Sequence, residues 1–181
     1  MLGYLQIGEY HMPRITRAKP TKDDIRLLYE TVRIAHQAKL EGCHPFGAIL
    51  VDKEGNILLE QGNASEEGGP AMHAEVALMF RAGKLYTPQF LSECTLYSSV
   101  EPCVMCTGAM YWTNVRRLVF GISEEQLLSL TGSDEKNPTF SLPSDQVLSY
   151  GQKDIEIVGP VEDEKLVEAI VFDHLTFWSN T

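Results

Sequence analysis

The sequence has no surplus of positive charge. Its 181 residues carry 15 Lys and Arg against 25 Asp and Glu, a formal net charge of −10. No Lys/Arg run stands out either, so the chain as a whole repels a phosphate backbone and a nucleic-acid partner is not expected. Long apolar runs are also missing, and no secretory leader pattern is present. On these absences no membrane-spanning helix is expected, and the protein is expected in the cytoplasm. Cysteine is sparse, with Cys43, Cys94, Cys103 and Cys106. In a reducing compartment four thiols do not make a disulfide framework. Cys43 and Cys94 read as small buried hydrophobes. There is no internal repeat and no linker. Residues 21–181 therefore read as one domain behind a loosely held segment, residues 1–20.

Apolar content of 44% and charged content of 22% match a globular chain. Thr21 followed by Lys22-Asp23-Asp24 reads as a helix N-cap with an acidic first turn. Ile25, Leu28, Tyr29, Val32 and Ala35 recur at helical spacing, and Gly42 supplies a stop. Phe46 to Asp52 and Ile57 to Glu60 flank the turn residues Lys53-Glu54-Gly55-Asn56, which predicts a β-hairpin. Ala64 to Pro70 is a small-residue loop. The pattern then predicts a helix over Met72–Arg81, a strand over Thr95–Val100, a helix from Cys103 to about Trp112 and a strand over Val115–Phe120. A short helix and loop fill Gly121–Leu148, Ile155–Val158 alternates as a strand, and Glu162–Trp178 reads as helix. Strands alternating with helices through the middle give an α/β class with a mixed sheet.

Two short motifs carry the chemistry: His73-Ala74-Glu75, and Pro102-Cys103-Val104-Met105-Cys106. They supply an imidazole, two thiols a helical turn apart, and a carboxylate beside the imidazole. Three N/S donors are what a zinc ion with an open water position takes. Both motifs open predicted helices, where free N–H groups and the dipole favour thiolates. Zinc lowers the pKa of a bound water to about 7, so hydroxide becomes available to attack an amidine-type ring carbon. Glu75 then serves as the proton shuttle to the ring nitrogen and the leaving ammonia. A lone C-x-x-C also occurs in structural zinc sites and redox pairs. A structural site would need a fourth Cys or His at a paired spacing, and a redox pair has no use for His73 and Glu75. A zinc-stabilised binding domain without catalysis leaves Glu75 unexplained.

Phe46-Gly47-Ala48, Asn63, His73-Ala74-Glu75 and Glu101 through Met110 together resemble the cytidine/deoxycytidylate deaminase superfamily, with its H-x-E and P-C-x-x-C signature. The resemblance covers about residues 21–125. It implies a three-layer α-β-α fold around a five-stranded mixed sheet, a Zn2+ cofactor held by His73, Cys103 and Cys106, catalysis by Glu75, and a homodimer. It also implies that Asn63 holds a polar edge of the substrate and that Phe46 lines the base pocket, with Ala74 as a further substrate contact. Read from the residues alone, Asn63 equally closes a turn and Phe46 equally packs in a core.

The nearest branches are the guanine deaminases and the bacterial tRNA adenosine deaminases. Tyr111-Trp112 and Ile122-Ser123-Glu124-Glu125 depart from the tRNA enzymes. Tyr111-Trp112 instead resembles the guanine branch, where an aromatic lines the purine pocket and an acidic residue reads a donor edge. Trp112 and Asp134 (or Glu135) take those parts here, against the alternatives of core and solvated loop. Yeast-type cytosine deaminases close their site with an acidic, aromatic C-terminal helix, for which Asp173, Phe177 and Trp178 are the counterparts. His174 is expected on the helix surface. The expected substrate is a small heterocycle, guanine or a related purine base first, then a nucleoside, cytosine, and tRNA adenosine.

Overall fold

The computed structural model describes residues 12–132 and 138–178. Its first element is a short strand, β1 (Ile15–Arg17), and helix α1 (Lys22–Leu40) follows. Thr21 caps α1 reciprocally: its Oγ1 accepts the Asp24 N–H at 3.1 Å, and Asp24 Oδ2 accepts the Thr21 N–H at 2.9 Å. The hairpin consists of β2 (Gly47–Val51) and β3 (Ile57–Gly62), and the short helix α2 (Ser65–Gly68) leads to α3 (Ala74–Leu85). Then come α4 (Pro88–Leu91), β4 (Thr95–Val100), α5 (Val104–Thr113), β5 (Arg117–Ile122), α6 (Glu124–Thr131), α7 (Ser144–Ser149), β6 (Ile155–Val158) and α8 (Glu164–Trp178). Among the described residues, no helix is long and apolar enough to cross a membrane.

The strands form one sheet in the order β1-β6-β5-β4-β2-β3. Strand β2 pairs antiparallel with β3 and β4, and the other three pairings are parallel. The sheet is mixed, as expected, but among the described residues it has six strands rather than five. The sixth is β1, from the stretch expected to be loosely held. Three residues show no period to read. Their strand is fixed by distant partners instead, including the Arg17 guanidinium donating to Gly159 O at 2.7 Å.

Helices α3 and α5 cover one face of the sheet over Leu78, Met79, Leu96, Met110 and Phe120. Helices α1 and α8 cover the other over Leu28, Ile49, Val119, Leu166 and Ile170. This is the three-layer arrangement. The buried stripe of α1 differs from the expected one. It runs through Leu27, Leu28, Thr31, Ile34, Ala35 and Ala38, whereas Tyr29 is exposed. Gly47 sets that rotation, because a Cβ there would lie 2.2 Å from Thr31 O and 2.7 Å from Ala35 N. The bare glycine lets the Thr31–Ala35 face of α1 sit directly on β2.

Parallel strands β4 and β5 end side by side, and the chain leaves them into α5 and α6. Crevices at such carboxyl ends are the usual ligand sites of open α/β sheets. Glu101, just past β4, knots this edge together. Its Oε1 accepts Ser144 N–H and Oγ–H at 2.8 and 2.7 Å, and its Oε2 accepts the Glu124 N–H at 3.3 Å.

Candidate active site

His73 is the N-cap of α3 and Cys103 the N-cap of α5, and neither side chain caps its own helix. Instead they face each other across the crevice, Cys103 Sγ lying 3.6 Å from His73 Nδ1. Cys106, in the first turn of α5, completes a group whose donor atoms all lie within 4.8 Å of one another. Zinc bonds of about 2.3 Å to sulfur and about 2.05 Å to nitrogen, set at a tetrahedral angle, would hold S and N about 3.6 Å apart. The observed spacing meets that requirement, and three donors leave a fourth position for water. The donor set fits zinc.

The charges favour the same conclusion. Contact with the Cys106 sulfur, and with His73, holds the Cys103 thiol down at about 4 against the opposing burial. The Cys103 contact and burial push Cys106 up. One sulfur ionises readily, and the second needs a cation beside it before it will follow. The contact with Cys103 also raises the His73 pKa, despite burial.

Glu75 stands two residues into the same segment and is buried. Its Oε1 accepts the Ser98 Oγ–H at 2.6 Å, from a β4 residue that is itself fully buried. Burial raises the Glu75 pKa and the Ser98 bond opposes the rise. A fixed, protonatable carboxyl beside three metal donors is the arrangement general acid–base hydrolysis requires.

A cavity of about 650 Å³ opens over this group, lined by His44, Phe46, Asn63, His73, Glu75 and Glu124 among others. Asn63 fulfils both parts open to it. Its Oδ1 accepts Ser65 N–H and Oγ–H at 3.0 and 2.7 Å, closing the turn, and the residue lines the cavity. Phe46 likewise lines the cavity while packing against both cores. Ala74 is fully buried with its side chain in the core, and it is not among the residues lining the cavity.

Trp112 does not line the cavity. It sits in the last turns of α5, a helix that meets the cavity at its opposite end, and is 81% exposed. Tyr111 beside it is structural: its hydroxyl accepts the Gln152 N–H at 3.0 Å and Lys153 sits over its ring. Asp134 and Glu135 lie outside the described residues.

The C-terminal helix reaches the rim. Phe177 and Trp178 stand edge-on to His44 with centroids 5.7 and 4.8 Å away, and His174 meets Phe46 at 4.9 Å. Asp173 turns to α1 instead, where Lys39 Nζ donates to it at 3.0 Å and His36 Nδ1 lies 2.9 Å away. His174 is buried rather than on the surface. The α8 face that carries it packs beneath the rings at the rim, and burial lowers its pKa to about 4.

Residues 21–122 match the cytidine and deoxycytidylate deaminase zinc-binding region. The chain belongs to this deaminase family. A probable cytosine deaminase of Schizosaccharomyces pombe is 38% identical over 159 residues, covering 87% of this chain and 94% of the yeast protein. Guanine deaminase of Bacillus subtilis is 40% identical over 92 residues, which is 50% of this deaminase and 58% of the bacterial one. A solved structure of guanine deaminase from Nitrosomonas europaea shares the fold at a TM-score of 0.63 and 21% identity, covering 99% and 98% of the two chains.

Two residues of this deaminase site escaped the sequence reading. Ser98 is one polar residue inside a buried strand, with nothing local to mark it. Glu124 did have a signal, since Ser123-Glu124-Glu125-Gln126 is a capping box directly after a strand.

Proposed function

We propose that this deaminase hydrolyses a free pyrimidine base of the cytosine type, exchanging its exocyclic amine for oxygen and releasing ammonia. The observation that carries the reading is the 38% identity to a probable cytosine deaminase across 94% of that protein's length. The guanine and tRNA relatives match along little more than half of theirs. The purine expectation draws on Tyr111-Trp112 together with Asp134 or Glu135. Trp112 stands outside the cavity lining and the two acidic residues lie outside the described ones, so none of them adds support to it. The aromatic cluster of Phe177, Trp178 and His44 at the rim also favours a small substrate, since it narrows access for a polynucleotide.

Zinc bound by His73, Cys103 and Cys106 supplies a water acidified to a pKa of about 7. The protein's own part is to hold and move protons. Glu75, oriented through Oε1 by Ser98, takes a proton from the attacking water and passes it to the ring nitrogen. It then takes the second proton from the hydroxyl newly on the ring carbon and gives it to the amine, which leaves as ammonia while the ring C=O forms. Asn63, with Oδ1 committed to Ser65, offers its Nδ2 to a carbonyl of the ring. Phe46 supplies an apolar wall for the ring face.

The test is the ratio of kcat/KM values for cytosine, guanine and cytidine on the zinc-loaded protein. Cytosine should lead by at least about tenfold, which is 1.4 kcal/mol of differential transition-state binding. A lead for guanine or cytidine would refute the cytosine reading.

A further inference from the structure

Among the described residues four carboxyls line the cavity, and three are accounted for. Glu66 is exposed at the rim, Glu75 is held by Ser98, and Glu101 receives three donors from neighbouring segments. Glu124 is different. It is 7% exposed, it is anchored through its backbone N–H to Glu101, and no described residue gives its carboxyl a hydrogen bond or an ion pair. A buried acceptor facing a cavity without a partner is a group waiting for a ligand donor.

We propose that Glu124 is a specificity-determining residue, accepting a hydrogen bond from the ring N–H that a free pyrimidine base carries at N1 and a nucleoside lacks. The inference rests on the cytosine-type reading and extends it to the choice between base and nucleoside. The donor inventory of the ring leads there. Its amine and adjacent ring nitrogen are engaged at Glu75, and its carbonyl oxygen matches the Asn63 Nδ2. The N1–H is then left needing an acceptor, and Asn63 Oδ1 is already held by Ser65. With Glu75 assigned to proton transfer, Glu124 is the buried carboxyl among the described lining residues that is left to meet the N1–H. Burial first, and then the negative groups around it, raise the pKa of its carboxyl, so a ligand donor relieves a group whose charged form is disfavoured where it stands. A sugar on N1 would remove the donor and leave the buried oxygen unpaired, which is how a hydrogen-bonding site rejects an analogue.

The experiment uses the full zinc-loaded protein, with cytosine as substrate and 1-methylcytosine as both substrate and competitor. The wild type should bind 1-methylcytosine at least about tenfold more weakly than cytosine. Glu124→Ala should raise KM for cytosine by about tenfold, lower kcat much less, and leave the constant for 1-methylcytosine within about twofold. Glu124→Gln, whose amide oxygen also accepts, should keep most of the discrimination. Equal losses on both compounds, as a loosened α6 would give, overturn the proposal, and so does an unchanged KM for cytosine. If Glu124→Ala does not fold, the wild type alone decides, because equal binding of the two compounds is equally fatal. No turnover of cytosine beside turnover of guanine would sink the cytosine reading and this inference with it. Turnover of cytosine unaffected by Glu124 replacement sinks the inference only.

Discussion

Ser98→Ala removes one oxygen from the centre of the site and nothing else. Ser98 lies in mid-strand between Ala48 and Phe120, so its backbone ladder survives the change. What is lost is the 2.6 Å bond to Glu75 Oε1. A hydrogen bond to a charged group contributes about 1.5–3 kcal/mol, and every 1.36 kcal/mol is a factor of ten in rate, so kcat should fall roughly 10- to 150-fold. Ser98 is not among the residues lining the cavity, so KM should stay within about threefold, the pattern of an interaction felt only in the transition state. Zinc content should be unchanged, because the three donors stand on α3 and α5. Steady-state ammonia release, metal analysis and a thermal melt on the same preparation separate these effects. A kcat within twofold of wild type, with zinc and melting point intact, would show that Glu75 needs no orientation from β4 and would refute the reasoning.

Three other perturbations test the scaffold. Gly47→Ala forces a methyl to within 2.2 Å of Thr31 O and should destabilise the protein by about 3 kcal/mol as α1 lifts from β2, read by urea unfolding; a loss under 0.5 kcal/mol would contradict that contact. Burial opposes ionisation of Asp24, but Arg117, Thr21 and Tyr97 outweigh it and hold the carboxyl well below its ordinary 3.8. Its stabilisation is therefore present above that value and fades as pH falls below it, so Asp24→Asn should cost about 3 kcal/mol at pH 7 and progressively less under pH 4. His174 behaves in the other window: neutral and buried, with its pKa lowered from 6.5 to about 4, it makes wild-type stability decline by about 3 kcal/mol as pH drops across that range. His174→Leu should flatten the decline, and an unchanged slope would mean that the imidazole is already solvated.

Much of the molecule was legible because its signals are local. The hairpin, the strand Thr95–Val100 and both motif helices follow from period, turn chemistry and capping, and the two motifs hold their donors at the ends of helices whose starts they themselves encode. What was not legible depends on distant partners. Strand β1 exists because β6 offers an open edge. The buried face of α1 is chosen by a glycine on another element. Tyr111-Trp112 shows the hazard most plainly, since a dipeptide placed near the motif in sequence stands at the far end of its helix in space. His174 misled for the same reason: the polar type suggested solvent, whereas the ring is sealed beneath Phe46 and Trp178. Glu124 needed the crevice to be assembled before its lack of a partner could be seen.

The most direct test of zinc-dependent deamination with Glu75 as the proton carrier is Glu75→Ala, assayed for bound zinc and for uracil formed from cytosine in one preparation. One zinc per chain should remain, since His73, Cys103 and Cys106 are untouched, while turnover falls by about 10²–10⁴-fold. Full turnover with zinc retained, or loss of the zinc itself, would contradict the role assigned to Glu75.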